Sequence, residues 1–342
     1  MTAVFCTNAA HRDAPTWKDQ LAPFDRLEFV ISDGAKGIAK AVAGLAQARR
    51  DDPRAPALEH GLDVFHTAME ANRVLALHWR RAEAIWEKAE AADLEVAGSK
   101  QQGIDARGAA RAAWHAWSRA IAALEQVERC EAAWRRAHAA LDLFGADGRL
   151  NDRSHAGLEI AEALKDLTGD DWSKVRDFLK GRRSLSFLDR MHRRLGSAEP
   201  EAAMREAMAW RWWLSHRRMA CSDPRIRLVR AVGRDGELDE SERASYERVS
   251  LVLEDTFRAS SAVECMNSVL RMQQSRHKRM TQAMLDLKRL YWNCHAFDAG
   301  PRKKACPYKL LGLDLPTFDF WKLLQADPDD LAQRLSTTGN AE

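Results

Sequence analysis

The sequence predicts an α/β fold in which a mostly parallel sheet is interrupted by a large all-helical insertion. Three observations predict it. The first sixty-odd residues alternate between strand-like and helix-like stretches. Strand signals then nearly vanish from Thr67 to Glu254, where Ala, Arg, Glu and Leu dominate. Beyond residue 255 the chain returns to helical stretches that share a strongly basic character. At 342 residues, 46% hydrophobic and 30% charged, it is long enough for two or three cores and is not a disordered composition.

Taken in order, "TAVFC" is a short apolar run that reads as a strand, and "APTWKDQLAPF" has helical spacing through Trp17, Leu21 and Phe24. "RLEFVISDG" is rich in β-formers and stops at the turn signal Asp33-Gly34. "AKGIAKAVAGLAQARR" reads as a helix with Ile38, Val42 and Leu45 on one face, and "ALEHGLDVFH" as another strand with His66 at its end. Within the helical stretch, Trp114, Trp117, Ile121, Leu124, Val127 and Trp134 recur at three- and four-residue steps and predict one buried face of a long helix. "GADGRLNDRS", "GSAEPE" and "CSDPR" are its turns, and Trp210, Trp212 and Trp213 read as core and partner-helix contacts.

The net charge of +3 selects no partner, but its distribution does. Between Arg258 and Leu311 there are eleven Lys or Arg against three Asp or Glu, a stripe that suits a polyanion. The six cysteines form no CxxC pair, which argues against a zinc site or a disulfide framework and for a reducing, cytoplasmic setting. No signal-peptide pattern and no apolar run of the ~18 residues needed for a membrane span is evident, so no membrane partner is expected.

Asp33, at the carboxyl end of a strand and followed by Gly, stands where parallel sheets place ligands; read by itself it is also an ordinary Asx turn. Ser261 and Glu264 fit a capping box, yet Glu264, Asn267 and Arg271 share one helical face, and Arg276, Lys278 and Arg279 follow. His66 beside Asp63 reads alone as a hydrogen-bonded structural residue. Together, a carboxylate at a strand end and another far downstream are what a two-metal phosphodiester site requires, with cations behind to hold the backbone of DNA.

At these residues the chain resembles a known family. "LEFVISDGAKGIAKAV" is similar to the second-aspartate segment of DDE-type transposases with an RNase H-like fold. "RASSAVECMNSVLRMQQSRHKRM", "LDLKRLYWNCHAF" and "GPRKKACPYKLLGL" resemble the glutamate helix and closing segment of bacterial insertion-sequence transposases. The matching residues are Ser260, Ser261, Val263, Glu264, Asn267, Tyr291, Asn293, Phe297, Pro307, Tyr308 and Gly312, and "DVFH" fits an Asp-x-x-His signature at Asp63 and His66.

The resemblance implies an incomplete RNase H-like mixed sheet with an all-α insertion. Residues 1–66 would be the first part of the catalytic core, 67–254 the insertion, 255–315 the returning core helices with the glutamate and basic segment, and 316–342 a C-terminal tail whose last fifteen or so residues read as frayed. It implies Asp33 and Glu264 as catalytic metal ligands for Mg²⁺ or Mn²⁺, with His66 beside them. Asn267, Arg271, Arg276, Lys278 and Arg279 would contact double-stranded DNA, and a homo-oligomer would be the acting form. The family's first catalytic aspartate lies on a strand that MTAVFCTNAAHRD does not offer, since Asp13 and Asp19 fall in the turn and helix before the Asp33 strand. The expectation is therefore a transposase truncated at its N-terminus and impaired in cutting and joining element ends. Its rivals are a non-catalytic DNA-binding or transposase-pairing remnant and a purely structural helical protein.

Overall fold

The computed structural model describes residues 11–50, 52, 54–216, 238–256, 258, 281–296 and 303–338. The chain divides into two compact units, Lys18–Ala259 and the two ends Met1–Trp17 with Ser260–Glu342. Among the described residues the protein is dominated by helices and carries one small parallel sheet of two strands. The "TAVFC" stretch and the "CSDPR" turn lie outside the described residues.

Helix α1 (Ala14–Leu21) stops short of Phe24 because Pro23 follows and disfavours helical backbone at the residue before it. Strand β1 (Phe29–Ser32) leads through the Asp33-Gly34 turn into α2 (Lys36–Arg50), whose Ile38, Ala41, Val42 and Leu45 are buried as the spacing predicts. Strand β2 (Glu59–Leu62) pairs with β1 in parallel, Phe29 opposite Glu59 and Ser32 opposite Leu62. Gly61 is required there: a Cβ on it would sit 2.5 Å from Cζ of Phe29, whose ring also carries the Arg190 guanidinium at 5.1 Å.

His66 does not end a strand. The strand stops at Leu62 and Asp63 caps a helix, because its side chain accepts the Phe65 amide, so His66 lies in the first turn of α3 (Val64–Gln101). Antiparallel to it runs α4 (Arg107–Ala140), and the pair forms a long hairpin. The buried face of α4 follows the predicted one only in part: Val127 and Trp134 are buried and Trp117 and Leu124 half-buried, but alanines take the place expected of Trp114 and Ile121. Ala113, Ala116, Ala120, Val127, Cys130, Ala133, Trp134 and Ala137 turn inward, while Trp114 and Ile121 are exposed. Alanines allow the two backbones to approach closely, which rotates the larger side chains out of the seam.

The body is completed by α5 (Arg153–Asp166), α6 (Ser173–Lys180), α7 (Ser186–Ala198), α8 (Ala202–His216) and α9 (Glu240–Glu254), with 3-10 turns at Asp170–Trp172 and Arg182–Leu185. Their apolar faces converge on Trp172, Leu141, Leu167, Leu188, Met191, Leu195 and Leu253, all essentially inaccessible to water. Trp212 stacks on Phe144 at 5.8 Å and Trp213 covers Gly148, in keeping with a packing role for this aromatic group.

In the other unit, α10 (Gln282–Cys294), α11 (Pro307–Leu310), α12 (Phe320–Leu324) and α13 (Pro328–Thr338) follow one another. The C-terminal stretch includes two helices, and the second, α13, covers most of the residues read as frayed; Asp319 caps α12 through the Lys322 amide, and Leu323 is buried. No helix among the described residues is long and apolar enough to cross a membrane.

Candidate functional site

The carboxyl ends of β1 and β2 gather the polar residues that sequence reasoning singled out. Parallel register sets Asp33 and Asp63 each one residue beyond the last pair, and the Asp63 amide donates to the Ser32 carbonyl at 2.8 Å. Gly34 adopts φ +79, and a Cβ there would approach Leu62 Cδ2 to 3.0 Å, so the turn that presents Asp33 depends on glycine. Asp33 is exposed, and its Oδ1 accepts the Ala35 amide at 3.0 Å. The Asx-turn reading of Asp33 therefore holds, and it leaves the carboxylate at the strand edge facing solvent.

Asp63 is buried, only 1% accessible, and both its oxygens are engaged. Oδ1 accepts the Phe65 amide at 2.8 Å, and Oδ2 lies 3.1 Å from Nδ1 of His66, which donates to it. A carboxylate at the N-terminus of a long helix is also favoured by the aligned peptide dipoles. Asp63 thus does the work of a cap and orients His66.

Sequence reasoning missed a second polar group on the same edge. Arg183 donates to Nδ1 of His60 at 2.7 Å, which leaves the ring proton on Nε2, and Nε2 donates to Ser32 Oγ at 2.7 Å. The same Oγ accepts the Gly34 amide at 3.1 Å. Burial, and next the Arg183 charge, push the imidazole down to about 4, against a smaller opposing pull from Asp33. His60 is therefore neutral at ordinary pH and braces the turn that carries Asp33. The one available signal was the Ser immediately before Asp33; Arg183 lies too far along the chain to be foreseen.

The chain leading into the Glu264 segment returns to this edge. The Val64 amide donates to the Arg258 carbonyl at 3.0 Å, and the Arg258 guanidinium donates to the Leu141 carbonyl at 2.8 Å and pairs with Asp142 at 2.6 Å. Arg258 stands six residues before Glu264 in the sequence. Glu264 itself, with Asn267, Arg271, Arg276, Lys278 and Arg279, lies outside the described residues.

Chemically, the edge offers one exposed carboxylate, one buried and committed carboxylate, and two imidazoles held in fixed orientations. Among the described residues no group of three or more His, Cys, Asp or Glu side chains could hold a metal ion. Asp33, an exposed carboxylate whose Oδ1 accepts the turn bond, is the oxygen donor at this edge of the kind a hard divalent ion takes. In comparison with known proteins, the chain matches no family model, no curated protein and no solved structure.

Proposed function

We propose that the chain is a DDE-type DNA transposase built on an incomplete RNase H-like core, cutting and joining mobile-element ends by metal-dependent phosphoryl transfer. One observation carries this reading furthest: Asp33, Asp63 and Arg258, which are far apart in sequence, meet at the carboxyl ends of two parallel strands, where such sheets hold their ligands. Glu264 would join Asp33 as the second metal ligand. Mg²⁺ or Mn²⁺, when bound, supplies polarisation of the scissile phosphate and a water or 3′-hydroxyl nucleophile. Asp33 would contribute an oxygen ligand from a glycine turn braced by Ser32 and His60. Asp63 fixes the ring of His66, which would contact phosphate or buttress the site. Asn267, Arg271, Arg276, Lys278 and Arg279 would hold the backbone of double-stranded DNA.

Two carboxylates are few ligands for a pair of ions, and Mg²⁺ binds weakly to so small a set without substrate phosphates. Cleavage by the isolated polypeptide is therefore expected to be poor. The commitment of both Asp63 oxygens to the cap and to His66 favours a second reading on the same surface, a protein that holds DNA or pairs with a complete transposase without cutting.

The test is duplex-DNA binding across a salt series, followed by strand-cleavage assays with Mg²⁺ and Mn²⁺ on the wild type, Asp33→Ala and Glu264→Gln. Salt-dependent binding with weak cleavage that both substitutions abolish supports the enzyme. Binding without any cleavage selects the second reading. Absence of salt-dependent binding sinks both.

A further inference from the structure

The far half of the α3–α4 hairpin is packed on alanine. From Ala82 to Gln126 every buried residue is an alanine: Ala82, Ala89, Ala113, Ala116 and Ala120. The seam is closed at its flank by Trp86 and Trp117, edge to face at 4.8 Å, and by the Trp117 indole donating to Asp93 at 2.7 Å. Meanwhile three large apolar side chains on the helices of this half face water, although Ile85, Trp86 and Trp117 pack on the seam: Leu94 is 74% exposed, Trp114 66% and Ile121 50%. An alanine seam buries little apolar area, and leaving Leu94, Trp114 and Ile121 outside it leaves part of the available hydrophobic stabilisation unused within one copy.

The exposed residues are not scattered. On α3, Glu83, Glu87, Glu90 and Leu94 repeat at steps of four, three and four, and so form one stripe. On α4, Arg107, Arg111, Trp114, Ser118 and Ile121 do the same. One stripe is acidic and the other basic. Glu83, Glu87 and Arg111 form no ion pair among the described residues, so these charges are not spent within the hairpin.

We propose that the far half of the hairpin is a self-association surface, and that its occupant is a second copy of this chain. A two-fold pairing sets α3 of one copy against α4 of the other, so the acidic stripe meets the basic one twice over. Leu94, Trp114 and Ile121 then enter the interior of a four-helix arrangement. Nucleic acid fits less well: the acidic stripe repels phosphate, and aliphatic side chains such as Leu94 and Ile121 offer it no bond. The inference stands on the hairpin alone and does not depend on the proposed function.

The test is the solution mass of the full chain by sedimentation equilibrium, without DNA or metal, so its outcome is separate from that of the cleavage assay. A dimer is expected. Trp114→Glu with Ile121→Glu should weaken it about tenfold or more while leaving the circular dichroism spectrum intact. Arg111→Glu and Glu87→Arg should each weaken the dimer, and the two together should restore it, a rescue that general misfolding cannot produce. A monomer at every concentration overturns the proposal, as does a dimer indifferent to these substitutions. A monomer whose binding to duplex DNA is lost in Arg111→Glu overturns it in favour of nucleic acid.

Discussion

The helical body around Trp172 and the strand edge at Asp33 and Asp63 belong to one compact unit but are held together by different forces. The body is an apolar jigsaw of Leu141, Leu167, Leu188, Met191, Leu195 and Leu253, stabilised by area removed from water. The edge has a short sheet of two strands, and its order comes from hydrogen bonds: Arg183 to His60 to Ser32, the Asp63 cap, and Arg258 clamped onto Val64. The contrast teaches that stability and candidate chemistry are separated here. Changes in the body should alter how much protein is folded, and changes at the edge should alter geometry and pH response.

The largest effect should come from the body. Leu188→Ala leaves a cavity with no access to water and should cost about 3 kcal/mol in denaturant unfolding; a loss below ~1 kcal/mol would break the contrast by showing that the core collapses freely. At the edge, Asp63→Ala removes a helix cap and should cost about 1–2 kcal/mol, whereas Asp63→Asn retains the acceptor for the Phe65 amide and should recover most of it. Equal losses for both variants would mean that the His66 contact, not the cap, dominates.

The pH response follows from His60, whose folded value of about 4 lies below its ordinary 6.5. Between those values the unfolded chain binds more protons than the folded one, so stability is fully present above 6.5 and declines as pH falls toward 4. His60→Gln should flatten that part of the profile in unfolding experiments run at several pH values; an unchanged slope would assign it to other groups. The smallest effect should be Trp114→Ala, within about 0.5 kcal/mol for the unfolding of the single chain, because the side chain is exposed. A small Leu188 side chain outweighing a large Trp114 would sharpen the comparison to its simplest form: burial decides, not size.

Much of this arrangement was legible in the sequence. β-former content and the turn signal located β1 and β2, three-to-four spacing located α2 and the helical stretch, and the Asp33-Gly34 turn was read correctly, including its ordinary Asx bond to Ala35. His66 was misplaced because "DVFH" continues the apolar run of β2, and only the Phe65 amide bonded to Asp63 reveals a helix start. The seam of α4 was read correctly at Val127 and Trp134 and misread at Trp114 and Ile121, because the alanines beside them carry a weaker hydrophobic signal although close backbone approach favours the smaller side chain. Arg183 and Arg258 were beyond reach, since their partners His60 and Val64 stand far away in the chain and no local pattern connects them.

Helix α3 begins at the Asp63 cap and ends at the hairpin tip, 38 residues later. At about 1.5 Å per residue it is a rod roughly 57 Å long, packed on the body through Val64, Ala71, Val74 and Leu75 and tied to Asp171 by His78 and Arg81. The stretch beyond Arg81 is about 30 Å long, so a bend of about 5° there sweeps the tip through about 3 Å. The hairpin is in this sense a pointer, and a pair of distance probes at its tip would register, in magnified form, any bending where α3 leaves the body.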